Sequence, residues 1–211
     1  MKIRFGGWVV GAALVLLTCS QVNTARADTI DYIFSGIASG NVNGTAFSNA
    51  SFTIDLTGDT NTVFNPPFFS SIFENLGAAT ISLAGFGSGV FTTPHGVFDN
   101  QGVPVAGFSH ANAGQISSDE LDISNSAFAT YDLTTAIGPL SVSLATLSLS
   151  NDPTTIGTVT FSTASNLSFQ ATTAAAVPEP ATYVTMFLCL GSIIVMRHRK
   201  KATAKPESLS S

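Results

Sequence analysis

Between residues 28 and 170 apolar and polar side chains alternate with a period of two, the spacing of half-buried β-strands, and almost no stretch carries the 3.6-residue period of an amphipathic helix. Thr29-Ile30-Asp31-Tyr32-Ile33-Phe34-Ser35-Gly36-Ile37 begins in that register, and Ala50-Ser51-Phe52-Thr53-Ile54-Asp55-Leu56 keeps it throughout. Asn43-Gly44 lies between them. That dipeptide tolerates the positive φ of a two-residue hairpin turn, so the two runs read as a first hairpin.

Further strands follow at Ala79–Leu83, Val103–Ser109 (edge-type, because of Pro104), Leu121–Ser124, Ser126–Leu133 and Leu140–Leu149. In the last of these Leu140, Val142 and Leu144 share one face, and the phase slips by Leu147, which predicts a bulge or bend. Gly157–Ser162 and Asn166–Gln170 read as a final pair. Gly85, Gly87 and Gly89 around Phe86, before Val90-Phe91, predict a bulged or tightly turning strand. Asn65-Pro66-Pro67-Phe68-Phe69 predicts a loop whose aromatics plug it, and 93–102 and 111–119 read as turn-rich loops. Some ten short strands with turns between them predict an all-β ectodomain, a single β-sandwich or jelly-roll-like body.

The ends are built differently. Lys2 and Arg4 precede an apolar run from Trp8 to Leu17, and Ala25-Arg26-Ala27 is a small-x-small cleavage site, so residues 1–27 read as a secretory signal peptide recognised by Sec-type export machinery. Leu16-Leu17-Thr18-Cys19 has a rival resemblance to a lipobox, with Thr18 where a smaller residue is usual. Residues 171–176 form a small-residue linker. At the other end Val177-Pro178-Glu179-Pro180 is stiffened by its prolines, Ala181–Met196 holds no charge, and Arg197, Arg199, Lys200 and Lys201 follow. Sixteen residues make a helix of about 24 Å, short for a membrane core of about 30 Å but usable with local thinning and snorkelling of Arg197. The basic cluster stays cytoplasmic, which puts residues 28–170 outside and 202–211 in a cytoplasmic tail.

All eight Lys and Arg lie in these end segments, whereas eleven of the thirteen Asp and Glu lie between Asp28 and Val177. A body without cations makes no Lys or Arg salt bridge and is a poor partner for nucleic acid or an anionic membrane. It also has no cysteine once Cys19 and Cys189 are assigned to the ends, so it lacks disulfides, Cys nucleophiles and Cys-based zinc sites.

Residues 177–201 resemble the PEP-CTERM sorting signal of bacterial exported proteins, on the motif Val177-Pro178-Glu179-Pro180-Ala181, a short span containing Gly191, and the Arg/Lys-rich end. His198 interrupts the basic cluster, and 202–211 extend past it. The resemblance implies recognition by an exosortase, a membrane-embedded transpeptidase that removes the tail near Pro178–Pro180. It also implies delivery to the cell surface or an extracellular polysaccharide matrix, with Glu179 and its prolines as substrate.

Candidate chemistry in the body is sparse. Gly107-Phe108-Ser109-His110-Ala111 comes within one residue of a nucleophile elbow, which would make a serine hydrolase around Ser109, but the elbow needs a strand-turn-helix and only β signals surround it. His95 and His110 could join Asp99 at a metal if folding brought them together; as loop histidines with no fixed spacing they read instead as solvated or hydrogen-bonded. Asp119-Glu120-Leu121-Asp122, or Asp55 with Asp59, could hold Ca²⁺ and read as hydrated loops. Sequons at Asn43, Asn49 and Asn166 offer glycan sites. The expectation is a non-enzymatic surface or matrix protein with no catalytic residue, metal or cofactor. The alternative is a carbohydrate- or Ca²⁺-binding module using Phe68-Phe69 or Asp119–Asp122.

Overall fold

The first hairpin is the template on which the remaining strands are laid. In the computed structural model, which describes residues 29–67 and 69–173, β1 (Thr29–Val42) turns through Asn43 (φ 51°) and Gly44 (φ 82°) into β2 (Thr45–Asp59). Ile30, Tyr32 and Phe34 on β1 face the interior with Phe52, Ile54 and Leu56 on β2, as the alternation requires. The chain continues through β3 (Ile72–Leu83), β4 (Gly87–Val90), β5 (His95–Asn100), β6 (Val105–Asn112) and β7 (Gln115–Ser124). It ends with β8 (Ile137–Ser141), β9 (Ser143–Leu147), β10 (Asp152–Thr154) and β11 (Gly157–Thr173).

These 11 strands form one sheet in the order β10-β11-β1-β2-β3-β5-β6-β7-β9, with β4 added on β3 and β8 on β11. Every named pairing is antiparallel. β8 lies on β11 and β9 on β7, and Val142, alone between them, donates its N–H to Leu167 O at 3.1 Å. One segment therefore ties the β11 side of the order to the β7 side, and the sheet wraps its apolar face inward. The body is all-β, of a sandwich or barrel-like kind. Its interior is aromatic: Phe34 meets Phe169 at 5.0 Å between ring centroids and Phe108 at 6.3 Å, and Phe52 meets Phe161 at 4.9 Å. These are edge-on contacts that add to the burial of each ring.

Several expectations change. Residues 126–133 are not a strand: Ser126–Thr130 is a 3-10 helix capped by Asn125, whose side chain accepts from Ala127 N at 2.9 Å, and it drops Phe128 into the core. The Leu140–Leu149 run is two strands broken at Val142. The final pair is instead the single 17-residue β11. β6 is an interior strand between β5 and β7, since Pro104 lies just before it and contributes only its carbonyl, which accepts from Asn125 N at 3.3 Å. Residues 95–100 and 115–119 are strand where turns were expected. Phe69 is 56 % exposed and plugs nothing, while Phe68 lies outside the described residues.

Also outside them lie the signal peptide with Ala25 and Ala27, the linker past Thr173, the Val177–Pro180 motif, the 181–196 span, Arg197 to Lys201 and the tail. Among the described residues no helix is long and apolar enough to cross a membrane.

Candidate functional site

Adjacent antiparallel strands place directly opposed residues on the same face, and the β5–β6 register sets His95 against His110, with ring centroids 4.6 Å apart. The other two members come from farther away. On β7 the register against β6 slips between Phe108↔Leu121 and Ser109↔Asp119, leaving Glu120 as the extra residue of a bulge. Strict alternation would turn Glu120 away from the core side that Leu121 occupies. The bulge re-aims it, and Glu120 is 2 % exposed. Its carbonyl is held by the N–H groups of Ser148 and Leu149 at 2.7 and 3.1 Å. Asp152 opens β10, opposite Val159 of β11, and is fully buried.

The four side chains converge. His95 Nε2 lies 3.3 Å from Glu120 Oε2 and 3.2 Å from Asp152 Oδ2; His110 Nε2 lies 2.8 Å from Glu120 Oε1 and 3.2 Å from Asp152 Oδ1. Each carboxylate thus offers one oxygen to each imidazole. Candidate ligand atoms from all four residues fall within 4.8 Å of one another. The His95 ring is clamped between Phe108, stacked at 4.7 Å and 3°, and Phe91, tilted at 4.6 Å. Only the His110 side chain, 30 % exposed, faces solvent.

Hydrogen-bond polarity decides what the cluster needs. His95 Nδ1 is 2.8 Å from Thr93 O, and a carbonyl only accepts, so Nδ1 carries a proton. In the neutral ring Nε2 then presents a lone pair to two carboxylate oxygens, acceptor against acceptors. Either a proton, on Nε2 or on a facing carboxyl, or a metal ion stands between them. Without a metal the proton is held. Burial works against a charged His95, but the hydrogen bond to Asp152 and the charges of Asp152 and Glu120 overcome it and push the imidazole up to about 9. Burial and the neighbouring Asp152 lift Glu120 to about 7, against the downward pull of His95. Asp152, which burial alone would raise, is held below its ordinary value by hydrogen bonds from His95 and Glu120. Glu120 Oε2 makes no hydrogen bond of acceptable geometry.

Of the residues singled out from sequence, the structure joins His95 and His110 but not Asp99. Asp99 lies four residues along β5, about 13 Å away at strand rise, paired across from Ala106. Asp119–Asp122 is strand and not a hydrated loop: Asp119 is exposed, whereas Glu120 and Asp122 are buried. Asp59 caps a 3-10 helix by accepting from Asn61 N at 2.8 Å. Ser109 is fully buried, its hydroxyl 3.3 Å from Asp119 Oδ1, and as His110's chain neighbour on a strand it faces the opposite side. Asn43, Asn49 and Asn166 all adopt φ near 51°, so each sequon asparagine has a conformational role. Asp152 was missed by sequence reasoning; Asn151-Asp152-Pro153 carries only a turn signal. Compared with known proteins, the chain matches no family model, no curated protein and no solved structure.

Proposed function

We propose that this chain is a non-enzymatic exported protein of the cell surface or extracellular matrix, sorted through its C-terminal PEP-CTERM-like signal and cleaved by an exosortase near Pro178–Pro180. The observation that carries the reading is the order of parts in the sequence: a cleavable leader, a body without a single Lys or Arg, then Pro-Glu-Pro, a short uncharged run and a basic end. The body suits delivery as a finished unit. Ile30 at its start pairs with Thr173 at its end, so trimming on either side leaves the sheet whole. Its layering is that of a sandwich or jelly-roll, with the β8–β9 segment as the join.

The test is the intact mass of the mature protein from cells making the wild type and from cells making the Pro178→Ala, Pro180→Ala double variant. Loss of both ends in the wild type, with the tail kept in the variant, is the expected result, and excess mass would report attached glycans. A wild-type mass that still runs through Ser211 would refute sorting by cleavage and leave a plain membrane anchor.

A further inference from the structure

We propose that His95, His110, Glu120 and Asp152 bind one divalent transition-metal ion of the zinc class, in a four-ligand site that braces the β5–β6–β7 strands against β10. Three observations converge on it.

The first is distance. Ligand atoms at about 2.0–2.2 Å from a tetrahedral ion lie about 3.3–3.6 Å apart. The four histidine–carboxylate separations of 2.8 to 3.3 Å involve both oxygens of each carboxylate; with one donor atom from each residue the four atoms lie within 4.8 Å of one another, so an ion gathers them with side-chain shifts of about an ångström. The second is orientation. Thr93 O fixes the Nδ1–H tautomer of His95 and leaves Nε2 to coordinate, the arrangement in which an outer acceptor orients a metal-bound imidazole. Glu120 Oε2, buried and without a hydrogen bond, is aimed into the same point.

The third is charge. Two buried carboxylates need countercharge, and with no lysine or arginine in the body the sources left are protons within the cluster itself and a metal ion. A dication cancels both at once.

The donor set selects the metal. Ca²⁺ takes six to eight oxygens and Mg²⁺ near-octahedral oxygen, which two imidazoles and two carboxylates do not provide. Two nitrogens and two oxygens close a tetrahedron around Zn²⁺, and four protein ligands leave no position for substrate, which fits a structural ion. The partly exposed His110 is the side from which the ion enters.

The test uses the full chain, purified in detergent without a polyhistidine tag, stripped with chelator and then given Zn²⁺, Mn²⁺, Ca²⁺ or Mg²⁺ separately. Expected are one Zn²⁺ per chain by elemental analysis and a rise in Tm with Zn²⁺ that chelator reverses. Co²⁺ in its place should give the intense visible absorption of a tetrahedral ion. His110→Gln should weaken Zn²⁺ binding at least about tenfold. His95→Ala should do the same, and if that variant does not fold, His110→Gln at the more exposed ligand gives the answer. Zn²⁺ retained equally by both variants would overturn the site. So would Ca²⁺, Mg²⁺ or Mn²⁺ matching Zn²⁺ in stoichiometry and Tm, or a stability that answers to pH but to no metal, which would make the cluster a proton-bridged ion pair.

Discussion

Asp99→Asn should change the pH dependence of stability more than any other conservative substitution in this body. Asp99 is fully buried on the inward face of β5, and neither carboxylate oxygen has a hydrogen-bond partner. Burial, with a smaller contribution from Asp132, lifts it from 3.8 to about 8. The folded chain therefore keeps the proton up to about pH 8, while the unfolded chain releases it near 3.8. Native protein binds the extra proton between those limits, so stability is whole below the lower one and falls as pH rises toward the upper. The slope is about 1.4 kcal/mol per pH unit, which accumulates to roughly 5 kcal/mol over the window. Asparagine has nearly the same shape and no charge to release. Urea unfolding of both proteins at half-unit steps from pH 4 to 9 gives the difference between them, in which the titration of the histidine cluster, about 13 Å off at strand rise, largely cancels. The variant should gain on the wild type progressively toward pH 8 and level off above it. A difference that stays flat across the window would mean that Asp99 ionises normally and that its surroundings are wetter than the packing implies.

Phe34→Ala, at the meeting of the Phe108 and Phe169 rings, should cost about 3–5 kcal/mol in the same urea assay. Asn125→Ala removes the side chain that accepts from Ala127 N and donates to Ser141 O, and should cost about 1 kcal/mol, read as a lower Tm. Phe69→Ser should leave Tm within the scatter of surface changes, since the ring is more than half exposed; a drop of several degrees would show that it packs after all. Ser109→Ala should leave ester and glycoside hydrolysis by the preparation unchanged, because its hydroxyl is buried against Asp119; any activity lost with the hydroxyl would reinstate a hydrolase.

What could be read from the sequence depended on how many faces a strand buries. β1 and β2 alternate because one face meets the core and the other is wetter, so their period and the Asn43-Gly44 turn were visible together. β5 hides five of its six residues, which erases the alternation and makes His95-Gly96-Val97-Phe98-Asp99 look like a loop. The 3-10 helix escaped for a related reason: Phe128 and Tyr131 are spaced by three, a period too brief to register within five residues. For the four-residue cluster, sequence supplied two histidines and an acidic run. It had no signal that a bulge would turn Glu120 inward or that Asp152, 57 positions beyond His95, would close the group. Such a site is a product of long-range pairing and exists only once the sheet does.

The pairing of Ile30 with Thr173 also sets how the body answers to pulling. When the first and last strands run antiparallel with their free ends side by side, a load across those ends peels the ladder apart one residue pair at a time, so the rupture force is that of a single pair. Resistance comparable to a shear-loaded sheet, in which a whole strand's hydrogen bonds bear together, would require the load to enter elsewhere. The same proximity means a connector of a few residues could join the two ends, and new termini could be opened at the Asn43-Gly44 turn without removing a strand.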